Sequence, residues 1–459
     1  MVTILSVIVG ATAVGSTPFW LPRVVTSLRA FIFTRVNGKE GIAVPGEMVS
    51  AEQFKHVYSH PAANGRSKGA ALSDLFWYWL SPGPEVHQEH IEAGTRYDEV
   101  ARATRQFLAI PNRMAEELTT LCACRVFDEL GVKEVKLVRL RDLMMPIWAE
   151  FYYELIFGEN CPPEARKLIV ANANDVVTAL KCCGLRHMGK RNKLTSYLRE
   201  KIDQGRLDGR LPGDLSREEQ ALYLQGVFFN TAIVQMSEAM THLILAIAQH
   251  DDVQRNLIDD IDSDRHLDHI IAETLRKYPL FGIAHRITSE EIVVDHQVTI
   301  PKGAVLCFNY SDYQRTGFED PERFDPTRWE NLSGRDATYI PFGVTANRPC
   351  PAQAIALVTM RAAGREFLKR FACFSSATHA RAIPNRGPCL LEVRDKDPNS
   401  FLRRTILAFM AVRDRCEDVW RSLLQLVLGT IMVLHARKLR LSEQYFNTSQ
   451  CPLSGHTQD

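Results

Sequence analysis

Cys350 lies in a loop whose composition suits a metal-bound thiolate, residues 339–352, which read YIPFGVTANRPCPA. Pro349 and Pro351 restrict the backbone on either side of the cysteine, and helix-forming residues begin at Gln353. A rigid loop can hold a sulfur at one height over a haem, while backbone N–H groups and a helix N-terminus stabilise its thiolate. A buried cysteine is more often an inert apolar side chain. The surrounding loop nevertheless predicts that Cys350 is the axial ligand of a haem iron.

Two neighbours of the cysteine belong to the same predicted cofactor site. Arg348 carries a guanidinium that can grip a carboxylate through two hydrogen bonds, so we expect it to pair with a haem propionate. Phe342 and Gly343 form an aromatic-glycine turn at the start of the loop. Phe342 is therefore counted among the cofactor-binding residues.

Glu273 and Arg276 lie upstream, three positions apart, in an amphipathic segment that Pro279 ends. Side chains at this spacing share one face of a helix, and on a surface such a pair contributes little to stability. A turn-rich segment, residues 320–326, follows before the cysteine loop and reads DPERFDP.

The order of E-x-x-R, P-E-R-F and F-G-x-x-x-x-R-x-C resembles the cytochrome P450 family, over residues 222–393. The resemblance implies a mainly α-helical fold with small β-sheets (α+β) and a cysteine-ligated haem. It also implies that Glu273, Arg276 and Arg323 form a buried Glu-Arg-Arg triad. Removing one member would strand a buried charge at a cost of about 3–5 kcal/mol. Residues 38–83 are shorter than the family's β-rich N-terminal lobe, so we expect that lobe to be shortened.

Further propionate contacts follow from the resemblance. Arg286 occupies the position of a second propionate-binding cation, with His285 as its neighbour and substitute; a solvent-facing pair is the alternative. His87, His90 and Arg96 are candidates on the other side of the ring. Exposed histidines beside a proline turn are commoner than ligand-binding ones, so that alternative also stays open.

Residues 222–254 are apolar on nearly every face and predict a long buried helix. The segment resembles the helix that crosses the oxygen side of the haem in the family, where an acid and a threonine pass protons. Aligned on His250, the threonine position falls on Gln235 and the acid position on Val234. The usual relay is missing, and Gln235 becomes the candidate oxygen-side residue as a hydrogen-bond donor.

Two departures from the family pattern leave alternatives open. A shift of one or two residues in the central helix would bring Thr231 or the pair Ser237-Glu238 to the oxygen side. The cysteine loop lacks the usual glycines and carries one inserted residue. Because Ala352 is small and Asn347 tolerates a positive φ, we interpret the loop as altered but able to hold haem.

Composition indicates a body with one large core. Hydrophobic residues make up 46% of the 459 residues, and the net charge of +1 gives no electrostatic case for nucleic acid. The 11 cysteines are odd in number and lack metal-ligand spacing, which argues against a disulfide framework and favours a reducing compartment.

Residues 1–22 are predicted to form an N-terminal membrane anchor. Their apolar run would be about 30 Å long as a helix, and Arg23, Arg29 and Arg35 follow it. The positive-inside rule then favours a lumenal N-terminus, with the catalytic domain in the cytosol at the endoplasmic reticulum membrane. A cleaved signal peptide and a buried helix are the alternatives.

The rest of the chain is divided into a haem-thiolate catalytic domain at 23–396 and a C-terminal extension at 397–459. The extension contains two apolar stretches, 401–410 and 419–434. They are compatible with packing on the body, with lying on a membrane surface, or with translated non-coding sequence.

The resemblance implies a monooxygenase that oxidises a lipophilic small molecule with O₂ and electrons from an NADPH–cytochrome P450 reductase. The divergent motifs and the anchor favour a role in fungal secondary metabolism. Without an acid-alcohol relay, two alternatives stay open. The fold could use peroxide or catalyse a rearrangement or dehydration, or the protein could bind haem without catalysis.

Overall fold

The computed structural model describes residues 2–38, 41–66, 70–205, 207, 210–261, 263–334, 337–394 and 400–449. Met1 of the predicted anchor and residues 397–399 and 450–459 of the predicted extension lie outside the described residues. Helices carry most of the described chain, and three small sheets complete it, which confirms the predicted α+β class.

The helices are α1 Val2–Asn37, α2 Phe54–Ser59, α3 Ala71–Leu80, α4 Thr95–Leu108, α5 Asn112–Leu130, α6 Leu140–Phe157, α7 Pro163–Leu180, α8 Met188–Asp203, α9 Arg217–Leu224, α10 Ile233–Ala248, α11 Asp251–Asp259, α12 Asp264–Lys277, α13 Tyr310–Arg315, α14 Gln353–Arg370, α15 Ser400–Leu439 and α16 Leu441–Ser449. The strands are β1 Ile42–Val44, β2 Val135–Arg139, β3 Ile283–Ile287, β4 Ile292–Val293, β5 Thr299–Ile300, β6 Val305–Asn309, β7 Phe371–Phe374 and β8 Pro388–Val393.

A continuous helix of α9, a π-helical segment at Gln225–Ala232 and α10 runs through the core. It begins at Ser216, whose hydroxyl accepts from the N–H of Glu219 while the Glu219 carboxylate accepts from the N–H of Ser216. Every residue of α10 except Gln235 is buried, because α6 and α14 pack against it. The predicted long buried helix is confirmed.

Three sheets frame this helical core. In the first, β6 is central, pairing in parallel with β1 and antiparallel with β3. The second is antiparallel, with β8 between β2 and β7, and the third is the two-stranded pair of β4 and β5. In the described part of residues 38–83, β1 is the single strand, so the N-terminal lobe is short in β-structure as expected.

The described part of the C-terminal extension packs on the body. Arg403 pairs with Glu392 at 2.7 Å near the start of α15, and Arg437 pairs with Asp74 of α3 at 2.8 Å near its end. Between them, Met432 accepts a hydrogen bond from the indole of Trp79 at 2.8 Å. α15 is therefore fastened to the body over most of its length.

α1 and α15 lie side by side and run in the same direction. The guanidinium of Arg415 stacks over the ring of Phe19 at 5.2 Å. Further along both helices, Gly429 lies close to Arg29: a Cβ placed on this glycine would be 3.6 Å from the Arg29 Nε. α1 continues to Asn37, well past the predicted anchor boundary at residue 22. The domain boundaries themselves stay predictions.

Two helices among the residues whose side chains are described are long and apolar enough to cross a membrane. In the first, Arg217–Ala248, 83% of the apolar 18-residue stretch is buried, as expected of the core helix of the body. In the second, Ser400–Asn447, 22% of the corresponding stretch is buried. Since buried core helices pass the same test of length and composition, this is weak support for a membrane location.

Loss of the Arg437 guanidinium should loosen α15. Arg437→Leu leaves the fully buried carboxylate of Asp74 with the backbone N–H groups of Ser442, at 3.2 Å, and Glu443 but without a cation. We expect a loss of about 2 kcal/mol at neutral pH, less than for a fully buried pair because Arg437 is 29% exposed. Urea denaturation checks this, with exposed Arg404→Leu on the same helix as the control.

The same variant should show a defined pH dependence. Burial already raises the pKa of Asp74, and removal of Arg437 raises it further. A protonated carboxyl needs no cation, so the destabilisation should shrink as pH falls through that raised pKa. An equal loss at neutral and mildly acidic pH would contradict this account.

Candidate active site

One large cavity lies between the cysteine loop and the central helix. It has about 1180 Å³ of space between atoms, part of it open to solvent, compared with about 300–1,000 Å³ for common small-molecule sites. Phe342, Cys350 and Ala352 line it from the loop, and Gln235 and Ala239 line it from the central helix. The predicted thiolate ligand and the predicted oxygen-side residue therefore face one space.

The backbone of the loop directs Cys350 into this cavity. The Cys350 N–H donates to the carbonyl of Phe342 at 3.0 Å, which closes the loop on itself. Gly343 has φ +78°, a left-handed conformation that an L side chain seldom adopts. Burial raises the pKa of the Cys350 thiol to about 11, while the N–H groups of Ala352 and Gln353 act in the opposite direction. These amides can stabilise a thiolate that a metal has deprotonated.

Asn347 and Arg348 correct our expectation about the altered loop. The positive φ falls on Arg348, at +51°, and not on Asn347. The Asn347 amide instead donates to the carbonyls of Tyr58 and Ala63, both at 2.8 Å. Asn347 thus fastens the loop to the N-terminal lobe through hydrogen bonds.

Three buried arginines surround Glu89: Arg348 lines the polar end of the cavity together with Glu89, and Arg66 and Arg286 lie outside that lining. Arg66 and Arg286 lie 2.9 Å and 3.0 Å from the same oxygen of Glu89. Burial alone would raise the pKa of Glu89, but the arginines, Arg286 foremost, hold it well below its usual range. Sequence reasoning found Arg286 and Arg348 and missed Arg66 and Glu89, which no local motif marks.

The charges of this cluster fit a haem. Three guanidinium groups surround the carboxylate of Glu89, while the exposed Glu92 accepts from the backbone N–H of Arg66 at 2.9 Å. The cluster therefore keeps an excess of positive charge, and a haem brings two propionates. Among the described residues, Nε of Arg66 and Nε of Arg286 are buried without a hydrogen-bond partner. Burial and then Arg286 lower the pKa of Arg66 to about 9, so the cluster holds more positive charge than its surroundings stabilise.

His87 is the predicted histidine that reaches the cavity. Its Nδ1 accepts from the N–H of Glu89 at 3.0 Å, and burial lowers its pKa to about 4. The ring is therefore neutral near pH 7, and its Nε2–H is available as a donor. His87 can contribute a hydrogen bond to a propionate but no charge.

His285 does not line the cavity, and our expectation for it is wrong in this respect. Its Nε2 lies 2.6 Å from the hydroxyl of Ser73, and its ring stacks on Phe76 at 5.6 Å. The reason is the alternation of strand β3, which sends neighbouring side chains to opposite faces. Arg286 faces Glu89 and Tyr58, so His285 faces α3.

His90 and Arg96 also lie outside the cavity lining. His90 is buried behind His87, with ring centres 5.2 Å apart. The Arg96 guanidinium donates to Glu219 at 2.8 Å, at the start of α9. Neither side chain contacts the space in which a cofactor would lie.

Glu273 and Arg276 form the predicted buried pair, with two hydrogen bonds of 2.8 Å. The Glu273 carboxylate also accepts from the N–H of Asp325 at 2.9 Å and from the indole of Trp329 at 3.1 Å. Arg276 donates in turn to the carbonyl of Pro321 at 2.9 Å. The pair therefore fixes α12 to the turn-rich segment before the cysteine loop.

The third member of the triad is Arg328, and our assignment to Arg323 is wrong. The Arg323 side chain is 70% exposed and lies 4.0 Å from Asp325. Nε of Arg328 lies 3.5 Å from Glu273, and the Arg328 side chain is 14% exposed. The chain carries proline, any residue, arginine and aromatic twice, at 321–324 and 326–329, and the second copy carries the contact.

The central helix presents Thr231, Gln235 and Ala239 to the cavity. The Thr231 hydroxyl donates to the carbonyl of Gly226 at 2.8 Å, five residues back, in keeping with the π-helical turn. Val234 is buried outside the cavity lining. The predicted register for Gln235 is therefore supported.

The alternative register through Ser237-Glu238 is excluded by the contacts of both side chains. The Glu238 carboxylate pairs with Lys181 at 2.8 Å and also with Arg141. The Ser237 hydroxyl donates to the carbonyl of Ile233 at 2.7 Å. Glu238 therefore faces α6 and the end of α7, the Ser237 hydroxyl is bonded within α10, and neither residue lines the cavity.

Comparisons with known proteins agree with this geometry. The family model described as cytochrome P450 matches residues 189–394. The chain is 31% identical to cytochrome P450 monooxygenase orf2 of Aspergillus niger over 169 residues, 33% of this chain and 34% of that protein. It is 30% identical to cytochrome P450 3A19 of Capra hircus aegagrus over 155 residues, 29% of this chain and 70% of that sequence.

A solved structure, a variant of cytochrome P450 OleT in complex with arachidonic acid, shares the fold. Its TM-score is 0.62 at 15% identity, covering 77% of this chain and 89% of that one. The chain spans about a third of the length of the first curated relatives that it matches.

The two arginines of the repeated pattern give a matched test of the triad. Arg328→Ala should destabilise the protein by on the order of 2–3 kcal/mol, because Glu273 is fully buried and loses one of its cations. Arg323→Ala should change stability by less than about 0.5 kcal/mol, since that side chain lies in solvent. Thermal unfolding midpoints and soluble yield compare the two. A larger loss in Arg323→Ala would restore the first assignment.

Proposed function

The chain belongs to the cytochrome P450 family, and from that premise we propose that it is a haem-thiolate monooxygenase acting on a lipophilic small molecule. The observation that carries the proposal is the placement of Cys350, Arg348 and the central helix on one cavity, with Arg66 and Arg286 next to Arg348 around Glu89. Haem bound through a cysteine thiolate supplies the activation of O₂ that oxidises an otherwise unreactive carbon. The residues of this chain would bind and orient the haem and the substrate, and they would exclude water from the cavity.

Binding is divided between the two ends of the cavity. Cys350 would hold the haem iron through its sulfur, on a loop closed by its own N–H to Phe342. Arg348, with Arg66 and Arg286 next to it, would pair with the propionates, and the excess positive charge of the cluster would favour a carboxylate-bearing edge of the cofactor at this end. The site would then be close to neutral, which lowers the cost of burying its charges.

On the oxygen side, Gln235 provides a neutral amide. Among the described residues that line the cavity, Glu89 is the single carboxylate, and it is engaged with arginines. The amide of Gln235 can donate a hydrogen bond but cannot pass on a proton at neutral pH. Protons must then come from water, from Thr231 or from a substrate hydroxyl.

The lining supports a lipophilic substrate. Most of the residues around the cavity are aliphatic or aromatic, among them Leu108, Val227, Phe228, Phe281 and Met360. Such a lining favours apolar molecules and gives few polar contacts to orient them. Specificity would depend mainly on shape.

Electron supply, membrane location and pathway complete the proposal. We expect electrons from NADPH–cytochrome P450 reductase and attachment to the endoplasmic reticulum membrane through the N-terminus, with the catalytic domain in the cytosol. A role in fungal secondary metabolism is proposed from the divergent motifs and the predicted anchor. The two apolar helices give weak support for the membrane location.

A second candidate is a P450-fold enzyme that uses peroxide or rearranges or dehydrates an oxygenated substrate. The observation that favours it is the lack of an acid-alcohol pair among the described cavity-lining residues of the central helix. Such reactions need less proton delivery than the use of O₂. Product formation with peroxide alone, compared with NADPH and reductase, distinguishes the two; haem binding without turnover in either would leave the non-catalytic alternative.

Cys350→Ser should remove the thiolate signature from the reduced carbon-monoxide difference spectrum. A hydroxyl is a far weaker iron ligand, while the arginine cluster still offers its charges to the propionates. Cys416→Ser, at an exposed cysteine of α15, is the control and should keep the wild-type spectrum. Retention of the thiolate band in Cys350→Ser would assign the ligand to another residue.

Gln235→Leu should lower the fraction of NADPH electrons recovered in product. The change removes the amide donor of α10 from the cavity and keeps a side chain of similar size. We expect a several-fold effect, below the roughly 10²–10⁴ of a positioned acid-base group. Coupling is measured with reductase and a lipophilic compound selected by its spectral binding shift. Met236→Leu, which lines the same cavity without a donor, is the control; equal coupling in both variants would contradict a role for Gln235.

A further inference from the structure

α15 presents an apolar stripe to solvent along its outer side. Its apolar members are 39–72% exposed: Phe409, Val412, Trp420, Leu423, Val427, Ile431 and Leu434. They follow at three- or four-residue spacing except between Val412 and Trp420, where the exposed Cys416 lies midway. The stripe is about 38 Å long at 1.5 Å per residue. Single exposed apolar residues are ordinary, but a continuous stripe of this length marks an interaction surface.

α1 adds apolar surface beside it. Trp20, Val24, Leu28 and Phe31 also follow at three- or four-residue spacing and are 40–65% exposed. Because α1 and α15 are neighbours that run in the same direction, the two sets extend along one layer of the protein. The layer combines Trp, Phe and Leu side chains, as helices that lie in a membrane interface do.

The charges of this layer are one-sided. Among the described side chains of α1 and α15, the exposed charged residues are all basic: Arg23, Arg35, Arg404, Arg415 and Lys438. The acidic residues of α15, at 414, 417 and 418, are buried or half-buried. The whole chain has a net charge of only +1, so the excess of positive charge is concentrated here. Basic, apolar helices of this kind suit a lipid surface with anionic headgroups.

The inner side of α15 is committed to the body. In addition to the pairs of Arg403 and Arg437, the Glu417 carboxylate pairs with Arg139 at 2.7 Å, and the Gln425 amide donates to the carbonyl of Lys181 at 2.9 Å. A helix that crossed a bilayer would have to give up all of these contacts. α15 can therefore lie on a membrane while the body stays folded, but it cannot span one.

We propose that α1 and α15 dock the protein on the surface of an anionic lipid bilayer, with the stripe from Phe409 to Leu434 in the interface. A second copy of the chain is the less suitable occupant. Two such layers placed face to face would bring arginines and lysines of like sign together. The inference does not depend on the proposed monooxygenase activity.

The test is co-sedimentation of the full chain with vesicles of phosphatidylcholine, with and without phosphatidylserine. The wild type should bind vesicles that contain phosphatidylserine, and binding should weaken with added salt and without the anionic lipid. Val427→Glu and Ile431→Glu should each weaken binding about tenfold or more, since each removes an apolar side chain from the interface. Both positions are exposed, so thermal unfolding midpoints should stay close to wild type.

Leu121→Glu is the matched control. Leu121 lies on α5 and is 57% exposed, close to the 58% of Val427, so it tests a nonspecific effect of an added carboxylate. If Val427→Glu and Ile431→Glu bind vesicles as well as the wild type does, the proposal is overturned. That result would also be obtained if the N-terminus alone held the protein on the vesicle. Equal binding to vesicles without phosphatidylserine would overturn its electrostatic part. A dimer in sedimentation velocity that the two variants abolish would assign the stripe to a second copy.

Discussion

The buried carboxylate of Glu273 is the constraint on which the geometry of the cavity depends. A charge with no exposed surface is tolerated only when donors replace its lost hydration, and here Arg276, Arg328, Trp329 and the N–H of Asp325 do so. These donors come from α12 and from the segment that leads to the cysteine loop. The fixed approach of that segment decides where the loop begins.

Gln314 continues this connection to the loop itself. Its amide donates to the carbonyls at the end of α12, and its oxygen accepts from the N–H of Ile340 at 2.9 Å. Asn347 then joins the loop to the N-terminal lobe, so both halves of the loop are held from outside. A thiolate ligand needs this support because its height over a ring follows from the backbone.

The cavity is chemically divided by what surrounds it. The arginine end holds an excess of positive charge, the lining is mainly apolar, and the central helix offers an amide where an acid and an alcohol are usual in the family. The cavity has a thiol and arginines suited to an anionic, planar cofactor, but few side chains that could deliver protons. The chain thus keeps the charged residues that bind the cofactor in this family, but it lacks the usual pair of side chains that passes protons.

Local patterns in the sequence determined the cysteine loop, the Glu273-Arg276 pair and the buried central helix, because spacing and hydrophobic periodicity act over a few residues. Period-two alternation in β3 would also have separated His285 from Arg286. Only the tertiary structure decided between Arg323 and Arg328, since both copies of their pattern are locally equivalent. It alone brought Arg66 and Glu89 to Arg286, and α15 to α1. These contacts join segments far apart in the chain, and their partners are chosen by the packing of the whole core rather than by neighbouring residues.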